Sequence, residues 1–205
     1  MDYFSQFGQD KYIYETFFYG KKDGVIVEIG ASDPVEFSNS LFFENLGWGG
    51  VLVEPNKIDA ESLRQRRKLP VEESAIYNKS GEFDFLLCNG YTKVLSGILE
   101  EQNPYHLDRI RNEVTQYGGS FEIIKINCIT FRELLEKYKI NSIDYLSLDT
   151  EGSEYSILTS IPWGECSPTC ISVENNYKDS KIKGYLEDRG YSLVSNLGCD
   201  EIYKK

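Results

Sequence analysis

Residues 25–30, Val-Ile-Val-Glu-Ile-Gly, form a short apolar run that ends at a glycine. Residues 50–55, Gly-Val-Leu-Val-Glu-Pro, repeat the pattern and end at a proline. Continuous apolar runs of this length are typical of strands that are buried on both faces of a sheet. Because each run is followed by a stretch with helical features, the two runs predict the beginning of an α/β fold with a parallel sheet.

The rest of the chain continues to alternate strands with helices. Further strands are predicted at residues 72–77, 82–88, 121–127, 143–148 and 170–173, with a closing hairpin at 191–195 and 201–203. Helices are predicted at residues 37–46, 58–68, 104–117, 131–138, 153–161 and 182–189. Asn56 is a good cap for the second helix, and Thr130 with Glu133 forms a capping box for the fourth. The pattern predicts a Rossmann-like, mostly parallel seven-stranded sheet with helices on both faces and an antiparallel C-terminal hairpin.

Length and composition predict one globular domain over residues 1–205, because 40% of the residues are hydrophobic. The net charge of −11 disfavours nucleic acid and anionic membranes as partners, since phosphate backbones are bound by clustered Lys and Arg. The basic stretch at residues 64–68 lies beside Glu61 on a predicted helix, and we interpret it as a solvated helix face.

The five cysteines are predicted to be free thiols in a reducing cytosol, because their number is odd and no CxxC motif is present. The first residues lack the basic and apolar regions of a secretion signal, and no apolar run reaches membrane-spanning length. We therefore expect a cytoplasmic protein without membrane insertion, which is either complete or one domain of a longer chain.

Acidic residues stand at the ends of four predicted strands, at Glu28, Glu54, Asp149 and Glu174. Ligands bind at the carboxyl ends of the strands in such sheets, and crowded carboxylates there favour cations or hydroxyl donors. Glu54 lies 24 positions after Gly30, near the spacing at which an acid accepts hydrogen bonds from ribose hydroxyls. A ribose-bearing ligand is therefore predicted.

The turn after the first strand, residues 30–34, is Gly-Ala-Ser-Asp-Pro and argues against a dinucleotide. A pyrophosphate is held by a GxGxxG turn at a helix N-terminus, whereas this turn has a single glycine and an acid that repels phosphate. The acidic surroundings suit a cationic sulfonium nucleoside better.

The sequence resembles the FkbM-type methyltransferases over most of its length. The segments that carry the resemblance are residues 5–12, 27–31, 38–40, 47–50, 53–56, 74–76, 143–154 and 198–203. The most specific of them is Ile-Asp-Tyr-Leu-Ser-Leu-Asp-Thr-Glu-Gly-Ser-Glu at residues 143–154. The chain departs from the family at Pro34, where glycine is usual, and this departure alters the first turn locally.

The resemblance implies a class I methyltransferase fold, S-adenosylmethionine as methyl donor, and O-methylation, often of sugar hydroxyls in glycans or natural products. Residues 1–22 would form an N-terminal lid or helix segment, and residues 89–120 a substrate-side insertion. The implied cofactor contacts are Glu28, Gly30 and Ala31 near the methionine part, Glu54 at the ribose, Ser74 and Ala75 at the adenine, and Gln9 and Asn39 closing over the cofactor. Ser32 and Pro55 are further predicted cofactor contacts.

A sugar hydroxyl has a high pKa, so a base or a metal must help to remove its proton. Asp149, Glu174 and Asn175 follow neighbouring strands and predict a site for Mg²⁺ or Mn²⁺, similar to that of catechol-type and macrolide-sugar O-methyltransferases. In the alternative interpretation, Asp149 caps a helix and Glu174 binds the substrate directly. Asp149 and Glu151 are candidate catalytic residues, and His106, the single histidine, is a less favoured candidate for the base.

The leading hypothesis is thus a metal-assisted O-methyltransferase that acts on a carbohydrate or glycoconjugate. Two alternatives use the same fold. A nicotinamide-dependent oxidoreductase is disfavoured by the single-glycine turn. A non-catalytic glycan-binding domain with a remnant cofactor pocket is compatible with Pro34.

Overall fold

The computed structural model describes residues 2–205, and a seven-stranded sheet lies at its centre. The strands in chain order are β1 (Val25–Ile29), β2 (Gly49–Val53), β3 (Val71–Glu72), β4 (Ala75–Tyr77), β5 (Gly81–Asn89), β6 (Gly97–Ile98), β7 (Ser120–Thr130), β8 (Tyr145–Leu148), β9 (Cys170–Glu174), β10 (Ser192–Leu197) and β11 (Asp200–Lys204). The helices are α1 (Gln9–Ile13), which continues as a π-helical turn at Tyr14–Phe18, α2 (Leu41–Asn45), α3 (Lys57–Arg66), α4 (Pro104–Tyr117), α5 (Phe131–Tyr138), α6 (Glu154–Ser160) and α7 (Ser180–Glu187).

The strand order of the central sheet is β10-β11-β9-β8-β1-β2-β3. Strand β1 pairs in parallel with both β2 and β8, while β11 joins β9 in the antiparallel direction. The predicted mostly parallel seven-stranded sheet with an antiparallel C-terminal hairpin is therefore confirmed. The carboxyl ends of β1, β2, β8 and β9 lie along one edge, the position at which ligands bind in open α/β sheets.

Alternate residues of the central strands face two apolar cores. Val27 and Val51 pack in one core with α5, α6 and α7, whereas Ile26 and Leu52 pack in the other with α1, α2 and α3. The helices thus cover both faces, as predicted, and α4 and α5 have the predicted bounds. No helix within residues 2–205 is long and apolar enough to cross a bilayer.

Four strands form a second sheet, which the sequence analysis did not separate from the first. Its order is β4-β7-β5-β6, and β5 and β7 form a long antiparallel pair from Gly81↔Cys128 to Asn89↔Ser120. The strand predicted at residues 72–77 is divided, because β3 ends in the central sheet and β4 begins the second one. Apolar periodicity indicates that a segment is a strand, but it does not identify the partner strand.

The first predicted helix, residues 37–46, is also shorter in the structure, where α2 begins at Leu41. Side-chain hydrogen bonds hold the residues before it in a non-helical loop. Arg67 Nη1 donates to Ser38 Oγ at 3.1 Å, and Arg67 Nη2 donates to Ser40 Oγ at 2.7 Å. Tertiary contacts therefore override the local preference for helix at residues 37–40.

The guanidinium of Arg67 is buried and its charge is balanced by a buried carboxylate. Arg67 Nε donates to Glu44 Oε2 at 3.1 Å, and the exposed fractions of the two side chains are 0% and 4%. A fourth hydrogen bond of the guanidinium, from Arg67 Nη1, reaches the carbonyl oxygen of Pro34 at 3.3 Å. The loop between β1 and α2 is thus tied to the end of α3.

The Arg67→Ala substitution is expected to lower the free energy of unfolding by about 3–5 kcal/mol, because it leaves the Glu44 carboxylate buried without its cation. Arg64→Ala is the matched control, since Arg64 pairs with Glu73 at the surface and exposed pairs contribute at most about 1 kcal/mol. Urea denaturation of both variants measures the difference. Equal losses in the two variants would contradict a structural role for the buried pair.

Candidate active site

A cavity of about 730 Å³ opens at the carboxyl ends of the central strands. This volume lies within the range of about 300–1,000 Å³ that is typical of small-molecule sites. All four predicted strand-end acids line it, namely Glu28, Glu54, Asp149 and Glu174. The 3-10 turn at Gly90–Leu95 contributes Tyr91, Lys93 and Val94 to its wall.

The turn after β1 brings two strand ends into close contact at Gly30. Gly30 has a φ of 90°, and a Cβ at this position would lie 1.7 Å from the carbonyl oxygen of Asp149. A larger residue would therefore push the ends of β1 and β8 apart. The amides of Gly30 and Ala31 both donate to the carbonyl oxygen of Val53 at 3.0 Å, which fixes the turn against β2 as well.

Glu54, at the end of β2, is held in one orientation by two backbone amides. The amide of Ser32 donates to Oε2 and the amide of Asn56 donates to Oε1, each at 2.8 Å. Burial raises the pKa of Glu54 to about 7, although both amide bonds favour its ionised form. The carboxylate keeps lone pairs for further donors, such as a pair of vicinal hydroxyls.

Both carboxylate oxygens of Glu28 accept hydrogen bonds from the loop between β1 and α2. Its Oε1 accepts from the amide of Asn39 at 2.7 Å, and its Oε2 accepts from the hydroxyl of Ser40. These bonds place the Asn39 side chain in the cavity wall, where its Oδ1 is buried and has no hydrogen-bond partner among residues 2–205. Asn39 thus presents a free acceptor to a ligand.

Most of the predicted cofactor residues line the cavity, and two lie just outside it. The lining members are Glu28, Gly30, Ala31, Ser32, Asn39, Glu54, Pro55 and Ala75. Gln9 is buried behind the wall, where its Nε2 donates to Asp200 Oδ2 at 2.6 Å and its Oε1 accepts from the amide of Phe7, a lining residue. Ser74 Oγ accepts from Asn127 Nδ2 at 2.9 Å and is not part of the lining.

Three carboxylates converge at the ends of β8 and β9. One oxygen each from Asp149, Glu151 and Glu174 lies within 4.8 Å of the others. Burial, together with the charges of Asp200 and Glu154, raises the pKa of Asp149 to about 7. Burial and the neighbouring carboxylates also hold the pKa values of Glu151 and Glu174 well above their usual range. The cluster therefore favours bound protons or a bound cation.

The cluster differs from the predicted metal set of Asp149, Glu174 and Asn175. Asn175 lies outside it, because its Nδ2 donates to the Asp179 carbonyl oxygen and to Glu201 Oε1, and its Oδ1 accepts from the Asp179 amide. Glu151, which was predicted as a catalytic residue, takes the third position. The positive φ of 56° at Glu151 belongs to a tight turn whose direction the sequence pattern does not reveal.

Asn176 is a cavity residue that the sequence analysis missed. Its Nδ2 donates to Glu174 Oε1 at 2.7 Å, so it orients one carboxylate of the cluster. The signal was present, since two asparagines follow Glu174 in the sequence. The pattern did not show which of the two faces the site.

His106 lies behind Glu151 rather than in the wall of the large cavity. Its Nε2 donates to the carbonyl oxygen of Leu95 and its Nδ1 accepts from the hydroxyl of Tyr177, both at 3.1 Å. Burial lowers its pKa, so the ring is neutral near pH 7. Nδ1 is 3.6 Å from Glu151 Oε2, an oxygen that has no hydrogen-bond partner within residues 2–205.

Two cationic side chains line the cavity, and each is close to acids. Lys93 Nζ lies 3.9 Å from both Asp33 Oδ2 and Asp59 Oδ1, on the side of the cavity that holds Glu54. Arg109 Nε lies 2.7 Å from Glu113 Oε1. Because eight lining residues are acidic, the cavity as a whole favours neutral or cationic ligands.

The comparison with family models identifies the family of the chain. The Methyltransferase FkbM domain matches residues 28–193, which include all four strand-end acids. The chain belongs to the FkbM methyltransferase family. The predicted resemblance is therefore confirmed, and the sheet described above has the predicted Rossmann-like, mostly parallel arrangement.

Among solved structures, the protein is similar to precorrin-6y C5,15-methyltransferase from Geobacter metallireducens GS-15. The match has a TM-score of 0.39 and 14% sequence identity, and it covers 90% of this chain and 80% of that one. The comparison with curated proteins found no significant match.

Because the Glu54 carboxyl is buried, we expect the free energy of unfolding to decrease as the pH rises. Its pKa is about 7 in the folded protein and near 4.5 in the unfolded chain, so the folded state retains the extra proton between these values. Stability is expected to fall from pH 4.5 to about 7 at up to about 1.4 kcal/mol per pH unit for such a group, and then to level off. Urea denaturation at several pH values measures this slope.

Glu54→Gln is the matching variant, because it cannot ionise and should reduce the slope in this window by the share of one group, while Asp149, whose pKa is also about 7, keeps its own contribution. Glu82→Gln, at an exposed position of β5, is the control and should keep the wild-type slope. A Glu54→Gln variant with an unchanged slope would show that the proton is held elsewhere.

Proposed function

We propose that this FkbM-family protein is an S-adenosylmethionine-dependent O-methyltransferase that acts on a sugar hydroxyl with the help of a divalent metal. The observation that supports this function is the convergence of Asp149, Glu151 and Glu174 in the same cavity as Glu54. The first three residues form a cation site, and Glu54 stands at the position of a ribose-binding acid.

The residues around Glu54 fit S-adenosylmethionine. Glu54 would accept hydrogen bonds from the ribose hydroxyls, and the free Oδ1 of Asn39 would accept one from the amino group of the methionine part. Gly30 allows the ends of β1 and β8 to lie in direct contact, which keeps the turn residues Ala31 and Ser32 in the cavity wall. The surrounding carboxylates would favour the sulfonium charge. S-adenosylmethionine, when bound, supplies an electrophilic methyl group.

The carboxylate cluster fits a hard divalent cation such as Mg²⁺ or Mn²⁺. Such cations take oxygen ligands, and Asp149, Glu151 and Glu174 each offer one within 4.8 Å of the others. Their raised pKa values reflect mutual repulsion and burial, both of which a bound cation would relieve. A divalent cation, when bound, lowers the pKa of a hydroxyl that it contacts.

Glu151 Oε2 is the best-placed group to accept the proton of the acceptor hydroxyl, because it is buried and has no hydrogen-bond partner in the described chain. The oxygen of the deprotonated hydroxyl would then form the new bond to the methyl carbon as the bond between that carbon and the sulfonium sulfur breaks, so that S-adenosylhomocysteine leaves and the proton stays on Glu151. His106 lies behind Glu151, with Nδ1 at 3.6 Å from Glu151 Oε2, and does not line the large cavity itself.

The case for a carbohydrate acceptor comes from an aromatic pair at the cavity. Tyr91 lines the cavity, and its ring lies 4.5 Å from that of Tyr117. Both rings keep exposed faces, on which sugars commonly stack.

We also propose that the reaction takes place in the cytoplasm, because all five cysteines are free thiols, as expected in a reducing compartment.

Asp149→Asn is expected to abolish methyl transfer, with a loss of at least 100-fold, while S-adenosylhomocysteine still binds. The carboxylate is needed to hold a cation, whereas the cofactor contacts at Glu54 and Asn39 remain. Transfer of labelled methyl groups to a panel of glycosides measures activity, and calorimetry measures cofactor affinity. Asp84→Asn is the control, since Asp84 lies at the surface beside Lys125.

Chelation gives an independent test of the metal. Excess EDTA should reduce wild-type transfer to the level of Asp149→Asn, and added Mn²⁺ should restore it. Full activity of Asp149→Asn in the presence of EDTA would refute metal assistance. Sugar binding without cofactor binding or transfer would favour the glycan-binding alternative.

A further inference from the structure

A second cavity, of about 230 Å³, lies on the other side of the carboxylate cluster. It is bordered by the N-terminal ends of α4, α6 and α7, which contribute Asn103, Tyr155 and Lys181. Glu151 and Glu174 line both cavities. These two carboxylates therefore form the boundary between the predicted cofactor site and a separate space.

We propose that this second cavity is a binding subsite for an uncharged or amino-bearing sugar unit, linked to the sugar that is methylated. The inference rests on the proposed function, because it deepens the description of the acceptor from a sugar to an oligosaccharide. The subsite is distinct from the cofactor site, since Glu54 and Asn39 line the large cavity and not the small one.

The first support is a free polar group at the boundary. Glu151 Oε2 has no hydrogen-bond partner within residues 2–205, and the Glu151 side chain is 10% exposed. A buried oxygen without a donor is unfavourable, because it has lost its hydrogen bonds to water without replacing them. A hydroxyl or ammonium group of a bound sugar would remove this cost from the side of the second cavity.

The second support is the size and lining of the space. A volume of 230 Å³ matches about seven or eight water molecules of about 30 Å³ each, which is room for one sugar ring. Tyr155 and Tyr177 border the space, and their side chains are 36% and 42% exposed. Partly exposed aromatic rings beside carboxylates are a suitable surface for the apolar face and the hydroxyls of a sugar.

The third support is the charge of the lining, which sets the chemical class of the sugar. The titratable groups are five carboxyls and the amine of Lys181, together with His106, which burial keeps neutral. The carboxyls belong to Glu101, Glu151, Glu154, Glu174 and Asp179. The carboxylates of Glu101 and Asp179, which lie outside the three-carboxylate cluster, would therefore repel uronic acids and sugar phosphates, whereas hydroxyl and ammonium groups would be accepted.

The test compares monosaccharides with disaccharides in binding. Saturation-transfer NMR with S-adenosylhomocysteine present would use methyl glycosides of hexoses, deoxyhexoses and hexosamines, their disaccharides, and matched disaccharides that contain a uronic acid. At least one uncharged or amino disaccharide is expected to bind five-fold or more tightly than its monosaccharide. The uronic acid disaccharides are expected to show no such gain.

Matched variants locate the gain in affinity. Tyr155→Ala and Lys181→Ala are expected to remove the advantage of the disaccharide and to leave monosaccharide and cofactor affinity unchanged. Tyr105→Ala and Lys183→Ala, at exposed positions that line neither cavity, should preserve it. Circular dichroism of all four variants checks that they fold.

The proposal is overturned if no disaccharide binds more tightly than its monosaccharide, if uronic acid disaccharides bind best, or if the gain survives in both Tyr155→Ala and Lys181→Ala. Failure of the proposed function gives a different result. It would appear as wild-type protein that neither binds S-adenosylhomocysteine nor transfers methyl groups. The two failures can be distinguished, because the NMR measurement detects sugar binding without turnover.

Discussion

The buried guanidinium of Arg67 is the interaction on which the site depends most directly. It neutralises Glu44 and donates to Ser40, whose hydroxyl is also bound to Glu28. A continuous chain of hydrogen bonds therefore runs from the end of α3 to the end of β1. Because this chain prevents residues 37–40 from joining α2, it also delivers the Asn39 side chain to the cavity.

The three-carboxylate cluster poses the opposite electrostatic problem, because Asp149, Glu151 and Glu174 form no salt bridge with a Lys or Arg among residues 2–205. Burial and the neighbouring carboxylates raise the pKa values of these three groups. The folded protein therefore either contains unfavourable buried charges or retains extra protons. Such an arrangement reduces stability in the absence of a ligand. A site that binds a cation would recover this free energy on binding. The cluster is therefore better explained by ligand binding than by a contribution to the stability of the fold.

Sequence patterns predicted the central sheet well because strands buried on both faces leave a continuous apolar signal. They did not separate the second sheet, since pairing between β5 and β7 depends on contacts that periodicity does not encode. At the site, acids at strand ends were predictable from position alone. The choice of Glu151 over Asn175 was not, because it depends on the turn at Glu151 and on the bonds of Asn175 to Asp179.

The two cavities meet at Glu151. Its backbone adopts a φ of 56°, which is costly for a residue other than glycine, and its carbonyl oxygen accepts from Gln102 Nε2 at 2.9 Å. This hydrogen bond from the segment before α4 thus holds the turn that places the Glu151 carboxylate between the two cavities. Because an unpaired buried oxygen and an unfavourable φ coincide at this residue, the fold carries two local costs that packing alone does not require. Both are explained if Glu151 serves a reacting hydroxyl on one side and a neighbouring sugar on the other.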